Sequence, residues 1–143
     1  MTEISMPISI DELKKGVESL RVICDNDPKG EFEYRNYCSK SYYAVYHSVK
    51  YFVNDKHNFD QAVENGAYNG MGTHQKIITF LDEHIHIPSF NHNREYKKLV
   101  YRLKTMRQYR VNSDYYLDVS VNKTTYIQSE TQYEGVMNII NSL

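Results

Sequence analysis

Apolar positions recur at intervals of three and four along most of the chain, and the alternation that marks a strand is almost absent. The pattern predicts a first helix that opens at Ser9, whose side chain can cap the amides ahead while Glu12 reaches back in a capping box, and that runs to about Asp25. Asp27-Pro28-Lys29-Gly30 then breaks the chain. A second helix, from about Glu31 to Asn54, carries Tyr34, Cys38, Tyr42, Val45, Val49 and Phe52 on one face. Beside that face runs a row of Tyr37, Ser41, Ala44, Ser48 and Tyr51, with small residues in its middle where another helix can approach, so this helix is expected to be sandwiched. Residues 55 to 72 are rich in Asn, Asp and Gly and read as an irregular connection with room for one short helix. Further helices are predicted from about Thr73 to His84, carrying Ile77, Ile78, Phe80 and Leu81; from Asn93 to Leu117; and from Thr125 to Asn141, with Ile127, Val136, Ile139 and Ile140 as apolar contacts. Four or five helices joined by short connections predict an all-α, up-and-down bundle forming one domain over residues 1–143.

Composition supports a folded chain: 41% apolar and 24% charged residues, with three Pro and six Gly. No apolar run reaches the roughly 18 to 20 residues of a membrane span, and the first residues lack a basic region followed by an apolar core. No membrane association is expected, and the expected location is cytoplasmic. Cys24 and Cys38 form no CxxC pair and read as small buried apolar residues. Without a secretory route the sequon at Asn122 carries no weight.

Charge changes the picture more. Between Arg94 and Arg110 lie seven basic residues against one acidic residue, Glu95, so this segment carries +6 within a chain whose net charge is −1. Such asymmetry suits an anion-binding face, or equally a solvated helix. Along the same helix the apolar row Tyr96, Val100, Leu103 continues at helical spacing into Arg107, Arg110 and Asp114. A stripe that begins apolar and ends ionic closes the bundle with an ion pair or opens onto a polar cavity. Arg102 and Lys104, with Tyr96, Tyr101 and Tyr109 between the cations, add phosphate contacts and faces for bases. A polar strip on the second helix, Lys40, Tyr43, His47 and Lys50, either faces solvent or lines a cleft. His84, His86 and His92 cluster in HIHIP and NHN, but no further ligand recurs at metal-binding spacing, so a surface loop is favoured over a metal site. NGMG before Thr73 lacks the spacing and the Lys-Ser/Thr ending of a phosphate loop. Neither metal nor cofactor is expected.

Two segments together, SYYAVYHSVKYFV (Ser41 to Val53) and LKTMRQYRVNSDYYL (Leu103 to Leu117), resemble the HEPN superfamily of small prokaryotic helical bundles. Its stand-alone members read roughly SYYAxFHAxK in the second helix and end the fourth in RxxxDY. GMGTHQKII (Gly70 to Ile78) also sits where those proteins often place a polar stretch with a histidine before a helix. The resemblance covers about residues 10 to 142. It implies a homodimer in which paired fourth-helix ends form one cleft, and a setting in toxin-antitoxin or anti-phage systems, often beside a nucleotidyltransferase-type antitoxin. Many members are metal-independent RNases that use an arginine followed four to six residues later by a histidine. Here the positions after Arg110 hold Tyr115, Tyr116 and Leu117, and no arginine is followed by histidine at that spacing. The resemblance and the residues together nominate Arg110, Asp114, Tyr115 and His47 as catalytic candidates, with His47 as the substitute histidine. Arg107, Lys40, Tyr43, Lys50, Arg102 and Lys104 are the candidate contacts to RNA or a nucleotide. Three readings stay open: a binding protein, an RNase with altered catalytic residues, and a non-catalytic partner subunit.

Overall fold

The computed structural model describes residues 9–26 and 30–143, all helices and connections. In chain order the elements are α1 (Ile10–Asn26), α2 (Glu31–His57), α3 (Phe59–Glu64), α4 (Thr73–Ile85), α5 (Asn93–Tyr115) and α6 (Lys123–Ser142), packed as an all-α bundle. The connection expected at 55 to 72 contains the short α3, which brings the described helices to six. Of the expected break at 27 to 30, only Gly30 lies among the described residues, at φ +139°.

The termini follow the chain's own chemistry. Ser9 Oγ accepts the Glu12 amide at 3.2 Å, and Asn122 Oδ1 accepts that of Thr125 at 3.1 Å, each satisfying a donor with no partner inside the helix. Helix α2 carries Glu31 and Glu33 in its first turn and Lys56 and His57 in its last, matching the helix dipole at both ends. It stops at Asn58, a left-handed residue at φ 56° whose amide reaches back to the Asn54 carbonyl. Two Asn-Gly steps then turn the chain, with Gly66 and Gly70 at φ +81° and +87°, values that side chains rarely tolerate.

Helix α2 is the central element, packed against α1, α3, α5 and α6. Its face Tyr34, Cys38, Tyr42, Val45, Val49 and Phe52 is buried, as are Tyr37, Ser41, Ala44 and Ser48 of the second row. The small residues of that row admit α6, where Ser129 lies 3.4 Å from Ser41, oxygen to oxygen. Tyr51, at the end of the row, is 68% exposed, because the row rotates out from under its neighbours. Tyrosines dominate the large core side chains, and the chain has no tryptophan. Tyr37 and Tyr126 meet edge to face with centroids 4.9 Å apart, and Tyr126 donates to Asp25 Oδ1 at 2.6 Å, tying α6 to α1. Both cysteines are buried and free. Ile127, expected as a core contact of the last helix, is half exposed, and Tyr126 and Val136 take the buried positions. No described helix is long and apolar enough to cross a membrane.

Helix α5 ends at Tyr115 rather than Leu117, and the reason is an arginine that periodicity does not single out. Arg35 of α2 donates through Nη1 to the carbonyls of Asn112 (2.8 Å), Ser113 (3.1 Å) and Tyr116 (3.3 Å). Its Nη2 serves the carbonyls of Leu117 and Val119. Glu31 completes the clamp: it pairs with Arg35 Nε at 2.9 Å and accepts the Val121 amide at 2.8 Å. A cation thus satisfies the Ser113, Leu117 and Val119 carbonyls and supplements the bonds that those of Asn112 and Tyr116 accept from the Tyr116 and Val119 amides.

Candidate functional site

The end of α5 turns its other side to a cleft of about 360 Å³ between α2, α4 and α5. Helix α2 contributes Ser39, Lys40, Tyr42, Tyr43 and Tyr46; α4 contributes Thr73 and His74; α5 contributes Arg110 and Asp114. Two residues of the polar strip on α2, Lys40 and Tyr43, therefore line a cleft, and the ionic end of the α5 stripe forms its opposite wall.

Arg110 and Asp114 pair at 3.0 Å with side chains 30% and 29% exposed, so neither is sealed. Ser39 donates to Asp114 Oδ2 at 3.2 Å, anchoring the carboxylate to α2. Arg110 Nη2 donates to the Tyr115 hydroxyl at 3.3 Å, and its guanidinium lies 5.2 Å from the centre of that ring. Among the described residues Nη1 takes no hydrogen bond, leaving a donor for a bound anion. Helical spacing accounts for this half of the site, since Arg110, Asp114 and Tyr115 sit within about one turn.

Tertiary packing supplies the other half. Thr73 and His74 stand in the first turn of α4, so the partial positive charge of that helix end faces the cleft. His74 packs against Tyr46, centroids 4.9 Å apart, and its Nδ1 lies 2.6 Å from the Tyr42 hydroxyl. Burial pushes the Tyr42 phenol well above its usual range, so it stays protonated. With no other partner among the described residues, this hydroxyl donates to Nδ1, which places the ring's own hydrogen on Nε2. Burial lowers the pKa of His74 below its ordinary 6.5, and the charges of Arg107 and Arg110 lower it further. At neutral pH His74 is an uncharged donor beside two cations.

The remaining candidates fall elsewhere. Arg107 is exposed beside the cleft, close enough to influence His74. His47 does not line the cleft; it is held edge to face by Tyr43 and Tyr46 at 4.4 and 5.1 Å, and burial followed by Lys50 lowers its pKa. Lys50 borders a separate hollow with Asp60 and Lys76. Arg102 faces α6, and Lys104 is exposed on the outer side of α5. Of the three clustered histidines, His84 lies in the last turn of α4, where its helix was expected to end, and is half buried against His57 with centroids 4.3 Å apart. No three His, Cys, Asp or Glu gather to hold a metal ion among the described residues.

Spacing along the chain could not nominate His74, because its partners Tyr42 and Arg110 lie 32 residues before it and 36 after it. The one sequence signal was its place after a glycine-rich turn and before an apolar helix. Arg35 gave none beyond an i,i+4 pair with Glu31. Comparison with family models, with curated proteins and with solved structures finds no match.

Proposed function

We propose that this chain is a HEPN-like binding protein that holds RNA or a nucleotide by its phosphate in the cleft between α2, α4 and α5. The observation that carries the reading is the convergence of Lys40, His74 and Arg110 from three helices on one cleft, opposed by the single carboxylate of Asp114. A phosphate there meets a guanidinium that can grip two oxygens, an ammonium, and the Nε2 hydrogen of His74. The exposed ring of Tyr43 offers a face for a base. A homodimer, with two clefts meeting as the resemblance implies, and a nucleotidyltransferase-type or other antitoxin partner in a toxin-antitoxin or anti-phage system belong to the same proposal.

Titrating uridine monophosphate into the protein at low salt tests the reading. Arg110→Ala and Lys40→Ala are each expected to weaken binding about tenfold, the loss of one charged hydrogen-bonding contact. Unchanged affinity together with lost stability in Arg110→Ala would instead support a structural ion pair in a non-catalytic partner subunit.

A second reading, a metal-independent RNase, is favoured by one fact: His74 stands beside Arg110 in space although no histidine follows it in sequence. In that reading Arg110 stabilises charge on the phosphorane while His74 moves protons to and from the ribose hydroxyl. Its weakness is the tautomer, since the Nδ1 lone pair is engaged by Tyr42 and Nε2 carries hydrogen. Incubation with total RNA and EDTA decides between them: cleavage abolished by His74→Ala and by Arg110→Ala establishes the enzyme, and absence of cleavage by the intact protein leaves binding.

A further inference from the structure

Helix α5 carries no acidic residue between Glu95 and Asp114, and four of its cations line two separate hollows. Arg110 faces the cleft. Lys97, Lys98, Tyr101 and Arg102 line a shallow groove of about 360 Å³ on the α6 side, closed by Gln132. None of these three cations forms an ion pair among the described residues.

The groove is built around Arg102. Its Nη1 donates to Gln132 Oε1 at 2.8 Å, and the guanidinium lies across Gly135, where a Cβ would run into it. Glycine in the middle of a helix costs about 1 kcal/mol relative to alanine; here it gives the guanidinium a flat bed on α6. The row of α6 that faces α5 is uncharged, with Gln128 held by Tyr109 and Gln132 by Arg102. The acidic residues of α6, Glu130 and Glu134, stand instead toward Tyr37, Tyr126 and Tyr133, whose phenols they help to raise.

Cleft and groove are connected. Arg110, Arg107, Lys104, Tyr101 and Lys98 follow one another at every third position, a surface ridge of an α-helix. Arg107, Lys104, Tyr101 and Lys98 are exposed, and the Tyr101 ring is 65% exposed in the middle of the cations. From Lys98 to Arg110 the ridge advances about 18 Å along the helix axis while winding around its outer side.

We propose that this ridge is a track for single-stranded RNA: one phosphate sits in the cleft at Arg110, the backbone passes Arg107 and Lys104, a base stacks on Tyr101, and a second phosphate seats in the groove at Lys98 and Arg102. Evenly spaced cations with an exposed aromatic ring between them suit a flexible strand, whose bases can turn out to stack, better than a duplex. The proposal rests on the cleft reading for its first phosphate and extends it to an oligonucleotide of several residues.

The test compares uridine monophosphate with an oligouridylate of about twelve nucleotides, using the whole protein, the Lys98→Ala/Arg102→Ala double variant and Arg110→Ala, all checked for helicity by circular dichroism. The double variant is expected to bind the oligonucleotide at least about tenfold more weakly, to lower the slope of log affinity against log salt by about 0.7 for the one phosphate lost, and to bind the mononucleotide as the intact protein does. Gly135→Ala, whose Cβ would press on the Arg102 guanidinium, is expected to fall between the two. Unchanged oligonucleotide affinity and salt slope in the double variant would overturn the track while leaving the cleft intact, and would point to an acidic protein segment as the groove's occupant. Arg110→Ala without effect on the mononucleotide would remove the cleft reading alone, and an intact protein that prefers neither ligand by length would remove the track.

Discussion

Two arginines, each four residues from a carboxylate, meet the same helix end from opposite sides and do different work. Arg35 pairs with Glu31 at 2.9 Å, its side chain is 11% exposed, and its guanidinium is spent on carbonyls at the end of α5 and in the turn beyond. Arg110 pairs with Asp114 at 3.0 Å, is 30% exposed, and lines a cleft shared with Lys40 and His74. By spacing alone the two pairs are equivalent. What distinguishes them lies across the interface: Arg35 faces a cluster of five backbone oxygens, Arg110 faces a cleft that it shares with another cation, Lys40. A charge ending an apolar stripe does not by itself close a bundle; here the closing charge comes from a different helix.

The largest expected effect is on stability at the clamp. Arg35→Ala removes donors from several carbonyls at once and should cost about 3 kcal/mol in urea unfolding, with Glu31 left unpaired beside the turn. Arg110→Ala should cost less than about 1 kcal/mol in the same experiment, as expected for a partly exposed i,i+4 pair, while phosphate affinity falls. Equal losses of stability in the two variants would erase the distinction.

Acidity separates the regions more finely. His74 has a folded pKa below its ordinary 6.5, so its contribution to stability is complete above that value and declines as pH falls toward the folded pKa; His47 and His57, also lowered by burial, act the same way. Binding of an anion favours protonated His74, so phosphate affinity should rise as pH drops through the same window, and His74→Gln should flatten that rise. The clamp responds lower. Glu31 is held below its ordinary 4.5, chiefly by the Val121 amide and then by Arg35, so the clamp persists through mild acid and is lost only as pH falls through that lowered value. Thermal melts across mildly and strongly acidic buffers should resolve two separate losses, the second smaller in Glu31→Gln; Glu18, held low by Arg21, keeps its own share of it.

The smallest effect tests a position where periodicity misleads. Ile127→Gln should change stability by less than about 0.5 kcal/mol, because half of that side chain already faces water. A larger loss would place Ile127 under a covering surface, such as a second copy of the chain.

Helix positions were legible because burial of one face imposes its period on the chain. The Ser9 cap, the sandwiching of α2 and the burial of both cysteines followed from that period and from local hydrogen bonding. Errors came at the ends of rows, at Tyr51 and Ile127, where 3.6 residues per turn carries a position out of the interface while its spacing still looks right. Half of the candidate site was legible too, since Arg107, Arg110 and Asp114 share a face by helical geometry and Lys40 and Tyr43 share another.

Sequence by itself determined the helices, their buried faces and the concentration of positive charge on α5. It could not determine which arginine would be sealed and which left open, that His74 would lie between Tyr42 and Arg110, or that Gly135 would divert Arg102 toward a second groove. Those outcomes depend on contacts between residues some 30 to 80 positions apart. Local chemistry fixes what each helix offers, and only the packing of one helix on another decides which polar groups find partners and which remain free to bind.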